Sequence, residues 1–203
     1  EARSVPTVLD ALAPRRCAIC RRSGSGLCGD CTADLPPAPV LAPPADLDAC
    51  WALLAHHGPT RPPVAEVKFH NHRDALEVIG RAMAVFVTRS PHPVDAVTWA
   101  PTSAARRRHR GYDQAELLAR SIAHFAGVRP VAALARRPGS AQTGADRAHR
   151  LHGPSFEPIG AVGTHVVVVD DVRTTGSTLS AAARATRRGG AERVSGLVLA
   201  VRP

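Results

Sequence analysis

Residues 166–178 read Val-Val-Val-Val-Asp-Asp-Val-Arg-Thr-Thr-Gly-Ser-Thr, and this stretch decides the fold. Four β-branched residues without a polar interruption predict a strand buried on both faces, as in a parallel sheet. The run ends in two carboxylates, a hydroxyl-rich turn around one glycine, and a helical stretch over Leu179–Arg188. In open α/β sheets, ligands bind in the loops that leave the carboxyl ends of strands. The amides and hydroxyls of Thr174, Thr175, Gly176, Ser177 and Thr178, with the N-terminus of the next helix, suit a phosphate. Asp170 and Asp171 would repel that phosphate at contact and suit neutral or cationic groups, such as ribose hydroxyls or a metal. The pattern points to a site for a phosphorylated sugar. The plainer alternative is a buried strand with an ordinary helix cap, but a cap requires neither adjacent acids nor a run of hydroxyls. The chain has no G-x-x-x-x-G-K-[ST] and no G-x-G-x-x-G after a strand, so two other phosphate motifs are set aside.

Around this centre the chain alternates between strand and helix patterns. Cys50–His56, Val94–Ala100, Val131–Leu134 and Val194–Val201 read as further strands. Leu76, Ile79, Met83 and Phe86 recur at helical spacing, as do Ala115, Leu118, Ile122 and Phe125. Such alternation predicts an α/β fold with a mainly parallel sheet flanked by helices and joined by right-handed crossovers.

The loop after Val94–Ala100 runs Pro101-Thr102-Ser103-Ala104-Ala105-Arg106-Arg107-Arg108-His109-Arg110-Gly111-Tyr112-Asp113-Gln114. Because it also leaves a strand's carboxyl end, it should border the same cleft. Its guanidiniums could hold a pyrophosphate through charge-assisted, partly bidentate hydrogen bonds. On composition alone, a solvated basic turn would be the better reading.

Cysteine spacing marks a second module. Cys17, Cys20, Cys28 and Cys31 form two C-x-x-C pairs, joined by a loop containing Ser23-Gly24-Ser25-Gly26. Four thiolates in this pattern suit a tetrahedral structural zinc. A disulfide framework and a redox C-x-x-C are the alternatives. Cys50 stands outside the pattern and reads as a small apolar residue at a strand start. The expected organisation is a zinc-binding module over 1–35, a Pro-rich, semi-rigid linker over 36–45, and an α/β domain over 46–203.

With these residues in view, a family resemblance can be stated. VVVVDDVRTTGSTL resembles the signature of type I phosphoribosyltransferases, which bind phosphoribosyl pyrophosphate (PRPP). The resemblance assigns Asp170 and Asp171 to the ribose hydroxyls and Thr174–Thr178 to the 5′-phosphate. R-R-x-R-G-Y-D-Q-A, over residues 107–115, is similar to a motif of the ComF family usually written R-G-[FY]-N-Q-A; Asp113 stands where Asn is usual. ComF-like proteins have the phosphoribosyltransferase fold, often behind an N-terminal four-cysteine zinc motif, and the order of motifs here is the same. The resemblance implies a pyrophosphate loop with Arg106, Arg107, Arg110 and Gln114. It aligns Lys68, the only lysine of the chain, with the family segment L-K-Y-x-G. It also gives a mobile loop, within Arg136–Leu151, whose candidate contacts are Gln142, Arg147 and Arg150; an ordinary surface loop is the alternative there.

If the protein is catalytic, the family chemistry implies transfer at the anomeric carbon of ribose. Lys68 or Arg110, together with Mg²⁺ carried by PRPP, would neutralise the leaving pyrophosphate, and Asp170 or Asp171 would steady the ribose. The acceptor is not specified by any residue pattern. Two other functions fit the same resemblance: a single-stranded DNA-binding protein of DNA uptake, natural transformation (competence) or repair, and a non-catalytic PRPP sensor.

The whole chain sets bounds on these readings. Its 203 residues are 44% hydrophobic, enough for one good core and a small appendage. No apolar stretch approaches the ~18 residues of a membrane span, and the first residues lack the apolar centre of a signal peptide. A cytoplasmic location without membrane insertion is expected. The net charge of +9 favours phosphorylated or polyanionic partners, although an Arg-rich composition contributes to it. Aromatic residues are only 3%, too few for an extended base-stacking platform. His56-His57 and His70-x-His72 lack an acidic third ligand at suitable spacing and read as surface or loop residues. Of the two tryptophans, Trp99 is the better placed to sense the cleft.

Overall fold

A computed structural model of the chain describes residues 16–17, 19–40, 42–56, 73–137 and 154–202. Lys68, Gln142, Arg147, Arg150 and the His70-x-His72 pair lie outside the described residues. The elements are α1 (Gly29–Ala33), β1 (Ala49–Ala55), α2 (Arg73–Thr88), β2 (Ala96–Trp99), α3 (Ala104–Arg110), α4 (Gln114–Ala126) and β3 (Arg129–Pro130). They continue with β4 (Leu134–Arg136), β5 (Phe156–Pro158), β6 (His165–Arg173), α5 (Ser177–Arg188) and β7 (Arg193–Val201). Five strands form one sheet in the order β1-β7-β6-β2-β3, and every pair in it is parallel. β4 and β5 form a separate antiparallel pair.

The valine run is buried on both faces, as expected. Val167 and Val169 pack with Leu76, Ile79 and Met83 of α2 and with Leu118 and Ile122 of α4. Val166 and Val168 face the opposite way, toward Leu179 and the alanines of α5 and toward Phe156 of β5. This period-two division places a hydrophobic layer on each side of the sheet. At about 25 cal/mol per Å² of apolar surface removed from water, these layers are the main favourable term in the fold.

Two departures from the sequence pattern have physical causes. Val131–Leu134 is not one strand: β3 ends at Pro130, and Val131 N–H makes one further bond to Val97 O at 2.9 Å. Proline offers no N–H to a ladder, which confines it to edges and strand ends, and the chain then crosses to β4. The stretch Pro101–Gln114 is not all loop, since it contains α3. Ser103 caps that helix by accepting from Arg106 N–H, and Gly111 closes it in the left-handed region at φ 81°. Both signals stand in the sequence, a capping serine and a terminal glycine eight residues apart.

The Pro-rich segment lies against the domain rather than free of it. Ala55 N–H donates to Pro36 O and Ala38 N–H to Leu53 O, so residues 36–38 run antiparallel along the outer edge of β1. The cysteine module is seated beside them, with Leu27 6% exposed inside the α2–α4 core layer and Ile19 and Leu35 packed against it.

Helices α2 and α4 approach closely at Gly80. A Cβ there would fall 2.0 Å from Ser121 Oγ and 2.7 Å from Ser121 Cβ. Ser121 is held in place by donating to Leu76 O at 3.2 Å. Gly80→Val is expected to destabilise the protein by ~2–3 kcal/mol through overpacking, read as a lowered urea midpoint at unchanged slope.

Candidate functional site

The cleft arises from strands of unequal length. β2 pairs with β6 as far as Trp99↔Val169, and the last bond on that side is Ala100 N–H to Val169 O at 3.0 Å. β6 continues beside β7 through Asp170↔Val198, Val172↔Ala200 and Arg173↔Val201. Where β2 turns away at Pro101, the end of β6 loses its neighbour on one side. A cleft of about 320 Å³ opens there, and Asp170, Asp171, Val172 and Thr178 line it from the β6 side. Arg106, Arg110 and Gln114 face them from the basic segment, and Arg136 from β4.

Each component has a local cause. Asp171 N–H donates to Asp170 Oδ1 at 2.8 Å, and Val172 N–H to Asp171 Oδ1 at 2.6 Å, so both carboxylates are tied to the backbone at the strand end. The following turn reaches α5 through Gly176, whose φ of 82° suits glycine. Thr175 Oγ1 donates to Ser177 Oγ at 3.1 Å and accepts from Ser177 N–H at 3.4 Å. Thr174, Gly176, Ser177 and Thr178 surround a small hollow that adjoins the main cleft at Asp170 and Val172.

On the opposite wall Asp113 organises the basic segment. Its Oδ2 accepts from Thr102 N–H at 2.8 Å and its Oδ1 from Ala115 N–H at 3.1 Å, so one carboxylate caps α4 and anchors the start of the loop. An asparagine has one acceptor and would satisfy only one of these donors. Asp113 is 4% exposed, and burial raises its pKa above the ordinary 3.8 although backbone bonds from Thr102, Glu116 and Ala115 oppose the rise. Arg110 Nη1 donates to Gln114 Oε1 at 2.6 Å, holding two cleft residues together.

Arg107 is not among the residues lining the cleft; its Nη2 lies 4.0 Å from Glu116 Oε2 on α4. Residues 106 and 110 share one side of α3 by their i, i+4 spacing, and residue 107 stands about 100° around the helix from residue 106, where it meets Glu116. Trp99 is buried on the α2–α4 face beneath the cleft, under the Arg120 guanidinium at 5.5 Å.

Sequence reasoning passed over Arg136. Its Nη1 donates to Pro101 O at 3.3 Å, and its guanidinium lies 5.7 Å from the Phe156 ring centre. Burial makes this arginine less basic than usual, and Arg106 adds to the effect while Asp170 and Asp113 oppose it. A half-buried cation therefore faces the acid pair across the cleft. The available signal was its position just after an apolar stretch in the strand–helix alternation.

Cys17, Cys20, Cys28 and Cys31 come together, with all four sulfurs within 4.8 Å of one another. Cys20 Sγ and Cys28 Sγ are 3.7 Å apart. A zinc with tetrahedral Zn–S bonds of about 2.3 Å requires S···S separations of about 3.8 Å, so the donor set fits such an ion. Cys28 N–H points at Cys17 Sγ at 3.5 Å, and Arg21, at φ 60°, turns the first knuckle. Side-chain hydrogen bonding to Cys28, burial and the other thiols push Cys31 up to about 12. Burial also raises Cys17, but hydrogen bonds from the Cys28, Cys20 and Ile19 backbones prevail and bring it to about 6. One thiol readily ionised beside one that resists it is what four crowded sulfurs sharing charge produce. Cys50 sits apart on β1, its thiol pushed up by burial.

The all-parallel five-stranded sheet, the acid pair ending its central strand and the four-cysteine cluster define an α/β protein with a mainly parallel sheet flanked by helices and a metal-capable module near its N-terminal side. The chain is 28% identical over 178 residues to the DNA utilization protein YhgH of Salmonella typhi, covering 82% of this chain and 74% of that one. The YhgH protein of Salmonella typhimurium is 26% identical over 177 residues with the same coverage. No protein-family model matches the chain. Among solved structures, the chain overlaps glutamine PRPP amidotransferase from B. subtilis at 17% identity and TM-score 0.44, over 66% of this chain and only 30% of that one. It overlaps purine phosphoribosyltransferase from Pyrococcus horikoshii at 17% identity and TM-score 0.40, over 63% and 74% of the two chains. Among the described residues, no helix is long and apolar enough to cross a membrane.

Asp113 gives a pH test of the cleft wall. An acid whose folded pKa is raised contributes stability that is fully present below its ordinary 3.8 and is lost as pH rises through the folded value. The stability of wild type relative to Asp113→Asn should therefore fall as pH rises from about 3.5 toward neutrality, read as urea midpoints at each pH. A difference that grew with pH would mean that the backbone donors outweigh burial.

Proposed function

We propose that the cleft binds PRPP or another 5′-phosphorylated ribose, and that the reaction it supports is phosphoribosyl transfer to an acceptor. The observation that carries this reading is the convergence of an acid pair, a hydroxyl turn at a helix N-terminus and Arg106, Arg110 and Arg136 at one end of one sheet. In this reading Asp170 and Asp171 accept from the ribose hydroxyls. The 174–178 turn takes the 5′-phosphate with its amides and hydroxyls. The three arginines take the pyrophosphate and stabilise the charge that grows on it as the glycosidic bond breaks. Mg²⁺ would arrive on the pyrophosphate, so a dedicated protein cage is not needed. Lys68, Gln142, Arg147 and Arg150 belong to the same proposal as ligand contacts. A sensor that binds PRPP without turnover would use the same contacts.

A second reading is DNA handling. Its support is the similarity to proteins named for DNA utilization, together with Arg108 and His109, which are exposed on α3. Single-stranded DNA would there meet cations outside the cleft through its phosphates.

Calorimetry with Mg²⁺ tests the first reading. PRPP is expected to bind wild type in the micromolar range and Asp170→Ala/Asp171→Ala at least a hundredfold more weakly. Failure of wild type to bind at millimolar PRPP would remove the reading and leave DNA as the lead. Single-stranded DNA added to the PRPP-loaded protein separates a shared site, which would compete, from a distinct surface, which would not.

The cysteine cluster is proposed to hold one structural zinc. Metal analysis should find one zinc per chain, and Cys28→Ser should lose it together with several degrees of thermal midpoint, because Leu27 of the module is part of the main core. Full stability in a metal-free protein would overturn the assignment.

A further inference from the structure

Arg173 lies between the acid pair and the Thr174–Thr178 turn, yet neither the composition nor the motif pattern singles it out. It lines the small hollow that the turn encloses. Nη2 donates to Ala42 O in the Pro-rich segment at 2.9 Å. Nε is buried and has no hydrogen-bond partner among the described residues. It lies 3.6 Å from where a Cβ on Gly176 would stand. On its other side the guanidinium opposes the burial-driven rise of the Cys50 thiol, which places it beside β1 as well.

The segment it grips forms a strap over the turn and along α5 from Ser180 to Arg187. Pro44 packs on Gly176 so closely that a Cβ there would meet Pro44 Cγ at 2.6 Å. Ser180 Oγ donates to Ala45 O at 2.7 Å, Arg184 pairs with Asp46 at 2.6 Å, and Arg187 pairs with Asp48 at 2.7 Å. The last three contacts fix the helix. Among the described residues, the Arg173 hydrogen bond is the only one to this strap that comes from the N-terminal side of the turn. The turn is thus fastened at one end by α5 and at the other by the β6–β7 ladder, which reaches Arg173 O through Arg202 N–H at 2.8 Å, with the Arg173 guanidinium as the side-chain tie to the strap.

We propose that Arg173 is a positioning residue for this turn: it clamps the Thr174–Thr178 backbone to the 42–48 strap and so fixes the direction of the amides that receive a phosphate. This rests on the phosphate reading of the turn. A ligand anion bound by backbone donors gains little if those donors must first be ordered, so a clamp acting before binding raises affinity by preorganisation. Its effect reaches the phosphate through the aim of the turn.

The test uses the full-length protein with ribose 5-phosphate as the probe, and it has two independent readouts. Amide ¹⁵N order parameters of the unliganded protein report the clamp. In Arg173→Met, values for Thr174–Gly176 should drop from the rigid range of about 0.85 toward 0.6 or below, while those in β6 and β7 stay unchanged. Calorimetry should show ribose 5-phosphate binding at least tenfold weaker in Arg173→Met. Arg173→Lys, which keeps a donor for the Ala42 carbonyl, should recover part of both effects. Asp46→Ala, which breaks a strap contact on the helix side, should leave the turn's order parameters as in wild type. Unchanged order parameters in Arg173→Met, or a loss spread equally over β6 and β7, would overturn the clamp. A turn loosened as expected in a protein whose wild type does not bind ribose 5-phosphate would sustain the clamp and overturn its phosphate role.

Discussion

Everything at the functional end of this molecule depends on one mismatch in hydrogen bonding. β6 and β7 stay paired through Arg173↔Val201, whereas β2 leaves β6 after Val169. A strand end paired on one side only is a half-open sheet edge within the protein. It has backbone rigidity from β7 and room from the departure of β2. Four valines with no exposed surface fill the buried part of β6, and a slip of one residue would draw Asp170 into a place now held by a buried valine. The acid pair therefore stands where it does because the apolar pattern before it admits one register.

Charge in the cleft is arranged around that edge. Asp170 and Asp171 are held by backbone amides at their own strand end. The cations stand on three different supports: Arg106 and Arg110 on a two-turn helix, and Arg136 on the small antiparallel pair. Arg136 is kept in a half-buried position by Pro101 O and the Phe156 ring, at a cost in desolvation that Asp170 partly offsets. A pocket with opposite charges on facing walls, each anchored before a ligand arrives, suits a molecule that is itself polar at one end and strongly anionic at the other.

What was legible in the sequence follows from range. The strand–helix alternation, the buried valine strand and the cysteine pairs are local patterns, and each appears in the structure within a few residues of its expected bounds. α3 was missed because seven residues of Ala, Arg and His show no apolar periodicity, and only its two end signals mark it. Arg107 was grouped with Arg106 and Arg110 because a loop has no sides, whereas a helix turns residue 107 about 100° from residue 106 and toward Glu116. Arg136 and Arg173 depend on contacts 35 and 131 residues away in the chain, with Pro101 and Ala42. No local pattern encodes such a contact. The double duty of Asp113 was hidden similarly, since its second donor, Thr102, lies eleven residues upstream.

The Pro36–Ala38 segment has a further consequence. β1 is the outermost strand of the sheet, and an uncovered parallel edge of Ala-Cys-Trp-Ala-Leu-Leu-Ala would invite another strand to add to it. Residues 36–38 occupy that edge, and Pro36 and Pro37 have no N–H to offer a newcomer. The sheet is thus terminated by chemistry as well as by length. In this position residues 36–38 give β1 a neighbour whose prolines carry no N–H, so a chain cut to begin after them would present an unpaired strand edge.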